Sequence, residues 1–491
     1  MIAAGAAVHC EAGTIDAWPA KGGPIFGPRG MKARMFLGVP KSIVVRLGWM
    51  SVGYGGAQLL RLANNVILAR LLAPPIFGLM AVVNSIRTGV ELLSDVGIMQ
   101  NIVSNPRGDH PDFYDTAWTL QAARGIVLAA ICMALAVPLA RFFEYPELAA
   151  ILPVASLFFV FTGFDSTARP LVQKQLQVAR LNLFDIGIGV VSLIAHVSLA
   201  LITPTVWALV LGSVITGAAT LIGSFLFIPG LRHRFIIDSD SARQLLKFGK
   251  WVFLSSIVYF FAMNFDRLYF AKVISLSELG VYGIARSLAD MVSLFVARAS
   301  NFVLFPTVAA AGLAPPELRH KLLHGRRTLL LAAGVGLGAF LAISGIVVEL
   351  LYDQRYQQAG LILPVLCIGV WFGILTSTND SILMGLARPA YPALSNTAKL
   401  ISYLVGVPLA FHYFGFMGAV AVISLGEIVK YLALWILSHK EHLHFGRDDL
   451  LLTFAFVATA VIIGEITRLL GIGGGVQAMI PHFLAALTFR T

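Results

Sequence analysis

Residues 245–288 read LLKFGKWVFLSSIVYFFAMNFDRLYFAKVISLSELGVYGIARSL, and this stretch decides the fold. It is an apolar run that contains the adjacent charges Asp266-Arg267. Ala271-Lys272 and a short polar break follow, then Leu279-Gly280-Val281-Tyr282 and a second apolar run. The same figure stands earlier in the chain. Arg46-Leu47-Gly48-Trp49 answers Lys247-Phe248-Gly249-Lys250. Ala69-Arg70 answers Ala271-Lys272, and Phe77-Gly78-Leu79-Met80 answers Leu279-Gly280-Val281-Tyr282, the last two pairs at one offset of 202 residues. Matches in order at nearly one spacing predict two related halves, a design in which transporters place a ligand site between the repeats.

Composition excludes the soluble classes. Of 491 residues, 58% are hydrophobic and 12% charged, and the mean hydropathy is +0.82. A soluble protein carries roughly 25% charged residues, so this much apolar surface needs a bilayer. The net charge of +11 reads as basic cytoplasmic loops rather than as a nucleic-acid footprint. Two of the three cysteines, Cys132 and Cys367, fall inside apolar runs and Cys10 stands apart, so neither a disulfide framework nor a metal cluster is implied.

Residues 1–41 are rich in Gly, Ala and Pro and lack the apolar core of a signal peptide. No fold is expected there, and Met31 reads as a natural start. From Ile43 onward, apolar segments long enough to span a bilayer are expected near 46–69, 78–103, 116–139, 148–168, 182–202 and 206–229. A second set lies near 247–272, 280–309, 328–351, 360–385, 392–412 and 416–438, with further spans near 450–470 and 476–489. The expected fold is an all-α polytopic membrane protein of 12–14 helices in two six-helix lobes, 42–229 and 247–438. A cytoplasmic linker, 230–246, joins them, and 439–491 adds one or two helices. Six is even, so both lobes enter the membrane in the same direction and the pseudo-twofold lies along the membrane normal.

Loop charge orients the chain. Segments 1–46, 104–115, 169–182, 230–250, 310–327, 387–393 and 438–450 hold most of the 36 Lys and Arg. The opposite loops hold only Arg70, Arg141, Lys272, Arg355 and Arg468. Positive residues stay inside, so the N-terminus is expected in the cytoplasm. The loops are too short to house an active site, and no P-loop, HExxH or GxSxG is present. An enzyme is not expected; if the chain acts, it acts within the helix bundle.

Charges inside the apolar spans are the functional signal, because an ionised side chain at mid-bilayer costs at least ~2.5–3.5 kcal/mol. Arg61, Arg87, Arg124, Arg267, Arg286 and Arg298 lie on the predicted helices 1, 2, 3, 7 and 8, and are expected to line a wet, basic cavity between the halves. Glu91, Asp95, Asp266, Asp290, Glu427 and Lys430 are expected as counter-charges or coupling groups. Arg87, Glu91 and Asp95 stack at intervals of four, as do Arg286 and Asp290, while Glu427 and Lys430 are three apart. These groups could instead neutralise one another. Adjacent residues on a helix diverge by about 100°, so Asp266 and Arg267 cannot pair as stacked neighbours. Arg61, Arg124 and Arg298 have no carboxylate in register, although interfacial snorkelling would also accommodate them. Guanidinium forks bind phosphate oxygens bidentately and remain charged. An anionic ligand such as a sugar–lipid pyrophosphate follows.

Leu92-Leu93-Ser94-Asp95-Val96-Gly97-Ile98 resembles the end of helix 2 in polysaccharide exporters. Asp266-Arg267-Leu268-Tyr269-Phe270-Ala271-Lys272, with Leu279-Gly280-Val281-Tyr282-Gly283-Ile284-Ala285, is similar to their helix 7–8 signature, and Val172-Gln173-Lys174-Gln175-Leu176 to their segment after helix 4. The resemblance, over roughly 42–440, is to the polysaccharide transporter (oligosaccharide flippase) branch of the multidrug/oligosaccharidyl-lipid/polysaccharide exporter superfamily. It implies a V-shaped bundle in a bacterial inner membrane and export of polyprenyl-pyrophosphate-linked glycans for exopolysaccharide, capsule or O-antigen assembly. Implied partners are membrane lipids and a polysaccharide polymerase with its chain-length machinery; nucleic acid is not one. No cofactor is expected, and a coupling Na+ or H+ gradient is left open. The alternatives are a multidrug exporter of the same superfamily, which would favour acidic and aromatic cavity residues, and a membrane polymerase or ligase, which would need a sizeable outer loop.

Overall fold

The computed structural model describes residues 35–36 and 39–471, apart from 95–96, 106, 176, 228–230, 232, 312–314, 387, 389, 442 and 444. Residues 1–34 and the expected helix at 476–489 lie outside this range. The described residues divide into two compact units, with the boundary between Gly48 and Trp49. In the first, the strands Met35–Phe36 and Val39–Pro40 pair antiparallel, with Met35 opposite Pro40. That small ladder stands where no fold was expected.

The remaining regular elements of the described chain are helices. The helices of the first half are α1 (Lys41–Leu71), α2 (Pro74–Leu92), α3 (Ile98–Ser104), α4 (Pro111–Phe143), α5 (Leu148–Ala155), α6 (Leu157–Phe164), α7 (Ala168–Lys174), α8 (Val178–Ile202) and α9 (Val206–Phe227). Those of the second half are α10 (Ser239–Val273), α11 (Leu276–Ala311), α12 (Pro315–Leu351), α13 (Ala359–Gly385), α14 (Ala390–His439) and α15 (Gly446–Leu469). Each apolar segment expected between 46 and 470 is occupied in turn by helix. The two expected around residue 414 are nearly continuous in α14 and meet at Gly415, whose φ of 66° and ψ of −160° interrupt the helix. Only glycine takes positive φ without a Cβ penalty.

Local chemistry sets several ends. Prolines open α2 and α4, where a missing N–H costs nothing. Asp238 caps α10, accepting from the Ser241 amide at 2.9 Å and its hydroxyl at 2.6 Å. These bonds hold its carboxyl below the usual range.

Eight of the described helices are long and apolar enough to cross a membrane, or up to nine if the bent pair Leu148–Phe164 and Ala168–Lys174 is one span. The protein is a multi-pass membrane protein. Helices α1, α2 and α10 fall outside those eight, and they carry Arg61, Arg87 and Arg267. Large apolar side chains stand exposed on α8, α9 and α15, for example Ile202, Leu226 and Phe454, where a bilayer solvates them. The main core runs through α2, α4, α11, α13 and α14. Trp371 at its centre is fully buried, stacks on Phe456 and donates to Thr453 Oγ1 at 2.9 Å.

One reciprocal contact is made by α2 and α11 near their N-terminal ends. A Cβ on Gly78 would lie 1.9 Å from the Leu276 carbonyl oxygen, and a Cβ on Gly280 would lie 2.0 Å from that of Pro74. Both the glycines and the carbonyls are 202 residues apart, so the two helices share a local twofold relation. Small residues that let backbones meet are the usual interface of membrane helices.

Around this contact each half holds the helix ends of the other. Arg70, in the last turn of α1, donates to the Leu350 and Leu351 carbonyls at the end of α12 at 3.1 and 3.3 Å. Its repeat counterpart Lys272, in the last turn of α10, donates to the Phe142 carbonyl at the end of α4 at 2.7 Å and to Glu144 at 2.5 Å. In return Arg355 reaches the Ala69 and Arg70 carbonyls, Tyr356 donates to Leu72 and Tyr145 to Ala271. Cations suit helix C-termini, where orphan carbonyls carry partial negative charge. The hydrogen bond from Lys272 also holds the Glu144 carboxyl below its usual range.

Replacing Gly78 or Gly280 by Ala forces a methyl into a backbone oxygen, so each change should destabilise by about 1–3 kcal/mol or more. The measurement is the melting temperature of the detergent-purified protein. Ala at Gly336 or Gly345, where an added Cβ meets nothing within 4 Å, should leave it unchanged.

Candidate binding cavity

Between α1, α2, α8, α9, α10 and α11 lies a hollow in two compartments. The larger, about 550 Å³, is bounded by Phe77 and Gly280 at the end sealed by the α2–α11 contact. Arg61, Arg87, Arg267, Asn64, Asn84, Ser85 and Asn264 also line it. The smaller, about 420 Å³, is lined by Gly53, Arg61, Arg169, Asn182, Asp185 and Arg298. Both include Arg61, Asn64, Ser192 and Thr216, so they are parts of one space. Its wall on α1 runs from Gly53 to Leu68, roughly 22 Å at 1.5 Å per residue.

Its electrostatics are one-sided. Four guanidinium groups from α1, α2, α10 and α11 line it, with that of Arg169 from α7. Among the described lining residues the one carboxylate is Asp185, and Arg169 pairs with it at 2.9 Å. Arg87 lies 4.2 Å above the Phe158 ring, a cation–π contact. The remaining wall is amide and hydroxyl. Asn65 donates to Ser287 Oγ at 3.1 Å, joining α1 to α11, while Asn64 Oδ1 and Ser85 Oγ are buried without a protein partner among the described residues. Such atoms ordinarily find a partner, so this wall has hydrogen-bonding capacity to offer a polar ligand.

The candidates read from sequence divide into three groups. Arg61, Arg87, Arg267 and Arg298 line the hollow. Arg124 does not; it binds the turn after α2, donating to the Ser94 carbonyl at 3.0 Å and the Glu91 carbonyl at 2.6 Å. Arg286 is also set back, bonded to Asp290 at 3.0 Å and 4.0 Å from Asp266. Glu91 makes no ion pair with Arg87 within 4 Å among the described residues, since Arg87 turns to Phe158 instead. Asp95 lies outside the described residues. Asp266 is buried and accepts from Tyr282, so the adjacent Arg267 and Asp266 face different surroundings.

Glu427 and Lys430 do not pair with each other. Glu427 accepts from Lys399 at 2.5 Å, and Lys430 from α14 donates to Asp380 on α13 at 3.2 Å. None of these groups is in the cavity lining; the ion pairs join α10 to α11 (Asp266–Arg286), α13 to α14 (Asp380–Lys430) and the two segments of α14 on either side of Gly415 (Lys399–Glu427). No group of three His, Cys, Asp or Glu that could hold a metal ion occurs among the described residues. Sequence reasoning missed Arg169, counted as loop charge, Asp380, and the asparagine wall. Asn64, Asn65, Asn84 and Asn264 inside apolar helices were a usable signal.

A family model described as polysaccharide biosynthesis protein matches residues 67–361. The chain is 25% identical over 382 residues to the lipopolysaccharide biosynthesis protein WzxC of Escherichia coli (strain K12), covering 76% of this chain and 75% of that one. It is 23% identical over 267 residues to the succinoglycan biosynthesis transport protein ExoT of Rhizobium meliloti (strain 1021), 54% of each. In fold it is similar to the lipid II flippase MurJ in an inward closed conformation, with a TM-score of 0.70 and 13% identity over 89% of this chain and 96% of that one.

The ion pairs behind the wall give a test independent of ligand. Lys399→Met leaves the partly buried Glu427 without its hydrogen-bonded partner, which should destabilise by up to about 3–5 kcal/mol. Adding Glu427→Leu should recover most of the loss in melting temperature. If the double variant melts no higher than the single one, the pair is not what holds α14 there.

Proposed function

The chain belongs to the polysaccharide biosynthesis protein family, and on that premise we propose that it moves lipid-linked oligosaccharides across the bacterial inner membrane for export. The observation that carries this reading is the hollow itself, lined by guanidinium groups whose companion carboxylate, Asp185, is already paired. Pyrophosphate oxygens accept bidentate bonds from such forks, and a charged headgroup crossing hydrocarbon needs the wet, polar lining that these residues supply. An organic cation, the alternative cargo, would be repelled. Translocation makes and breaks no covalent bond, so the protein acts as a transporter and not as an enzyme.

In this reading the N-terminus is cytoplasmic and the α2–α11 contact closes the outer end. The headgroup enters near Arg298 and Arg61 while the polyprenyl tail stays among the lipids. The two halves of the chain rock about the bound headgroup, as repeat-built transporters do. Opening outward separates Arg70 and Lys272 from the helix ends they hold. These contacts are individually weak, of the order of 0.3–1 kcal/mol each at exposed helix termini, which suits a gate that opens and recloses.

Replacing Arg61 and Arg298 by Ala should abolish glycan export while the protein still inserts, measured as surface polysaccharide and accumulated lipid-linked intermediate in a complemented deletion strain. Unchanged export would remove the cavity from the mechanism. Separately, Arg70→Ala with Lys272→Ala should loosen the outer end. Ser287→Cys, in a chain whose three native cysteines are Ser, should then react severalfold faster with an impermeant maleimide added outside.

A further inference from the structure

We infer that the glycan carried by this protein is itself acidic, bearing a carboxylate that sits between Arg87 and Arg267. The inference rests on the flippase reading and adds the substrate class. The cations of the hollow are divided between its compartments. Arg298 and the Arg169–Asp185 pair lie in the smaller, Arg87 and Arg267 in the larger, and Arg61 borders both. One pyrophosphate is compact and answers one cluster.

Placed by Arg61 and Arg298, the pyrophosphate leaves Arg87 and Arg267 facing the larger compartment. Neither has a carboxylate within ion-pair distance among the described residues; Glu91 acts on Arg87 from beyond that distance, and Arg87 rests on the Phe158 ring. Cations held inside a membrane bundle without a directly bonded counter-charge are costly. A neutral sugar would leave that cost in place, whereas a carboxylate on the glycan removes it through charge-assisted bonds. The same compartment presents Asn64, Asn84 and Ser85, whose amides and hydroxyl match sugar hydroxyls. Glycan and second anion are therefore read in one place, at the end remote from Arg298.

The test uses the full chain in detergent and three probes. These are undecaprenyl pyrophosphate, the same lipid bearing an oligosaccharide with a terminal glucuronic acid, and that oligosaccharide–lipid after chemical reduction of its carboxylate to an alcohol. The acidic probe should bind at least tenfold tighter than the reduced one. Arg87→Gln and Arg267→Gln should erase this difference between the acidic and the reduced probe. Arg61→Gln should weaken all three. Equal affinities for the acidic and reduced probes, with undecaprenyl pyrophosphate still bound, overturn the acidic-glycan assignment alone. Failure of all three probes to bind overturns the flippase reading with it. A tenfold difference that survives Arg87→Gln and Arg267→Gln overturns the placement of the carboxylate.

Discussion

The structure depends on how closely two backbones approach where α2 meets α11. At Gly78 and Gly280 each helix lies against a carbonyl of the other, with no room for a methyl group. In a bilayer, burial of apolar surface does not drive helices together, because lipid tails are as apolar as leucine. Close packing and polar contacts must do so. The glycine pair supplies the first, and Arg70, Lys272, Arg355 and their helix-end carbonyls supply the second. Closure at this end leaves space farther along α1, and that space is the cavity.

The cavity and the ion pairs behind it divide the intramembrane charge into two kinds. Acidic residues of the second half, Asp266, Asp290, Glu427 and Asp380, each meet a protein cation or a tyrosine hydroxyl. Burial demands this, since an unpaired ion in low dielectric is far costlier than a satisfied one. Of the cations at the hollow, Arg61, Arg87 and Arg267 have no carboxylate within 4 Å among the described residues, while Arg169 pairs with Asp185. A satisfied ion pair fixes helix against helix, whereas a guanidinium facing a hollow keeps its binding capacity for something that arrives. The position of the carboxylates, more than the number of arginines, therefore gives the hollow its sign.

Much of the site was visible in the linear chain because a charge in an apolar run is conspicuous. Arg61, Arg87, Arg267 and Arg298 stood out on that ground. Arg124 and Arg286 stood out equally and serve packing, because composition cannot tell a charge that faces a helix end or a carboxylate from one that faces a space. The i,i+4 rule placed Arg286 with Asp290 correctly, since both lie on one helix. The three-residue spacing of Glu427 and Lys430 did not pair them; their partners come from other parts of the chain: Lys399, 28 residues away, and Asp380, 50 residues away. Arg169 was hidden because its helix is short and a loop charge has an ordinary explanation.

The sequence by itself determined the bilayer and the run of helices, because hydropathy and the length of apolar segments are local properties. Tertiary structure alone decided which charges pair across helices, that equivalent glycines meet each other, and where the hollow lies. Those outcomes depend on distances between segments tens to hundreds of residues apart. No local rule carries that information, and only the packed bundle sets those distances.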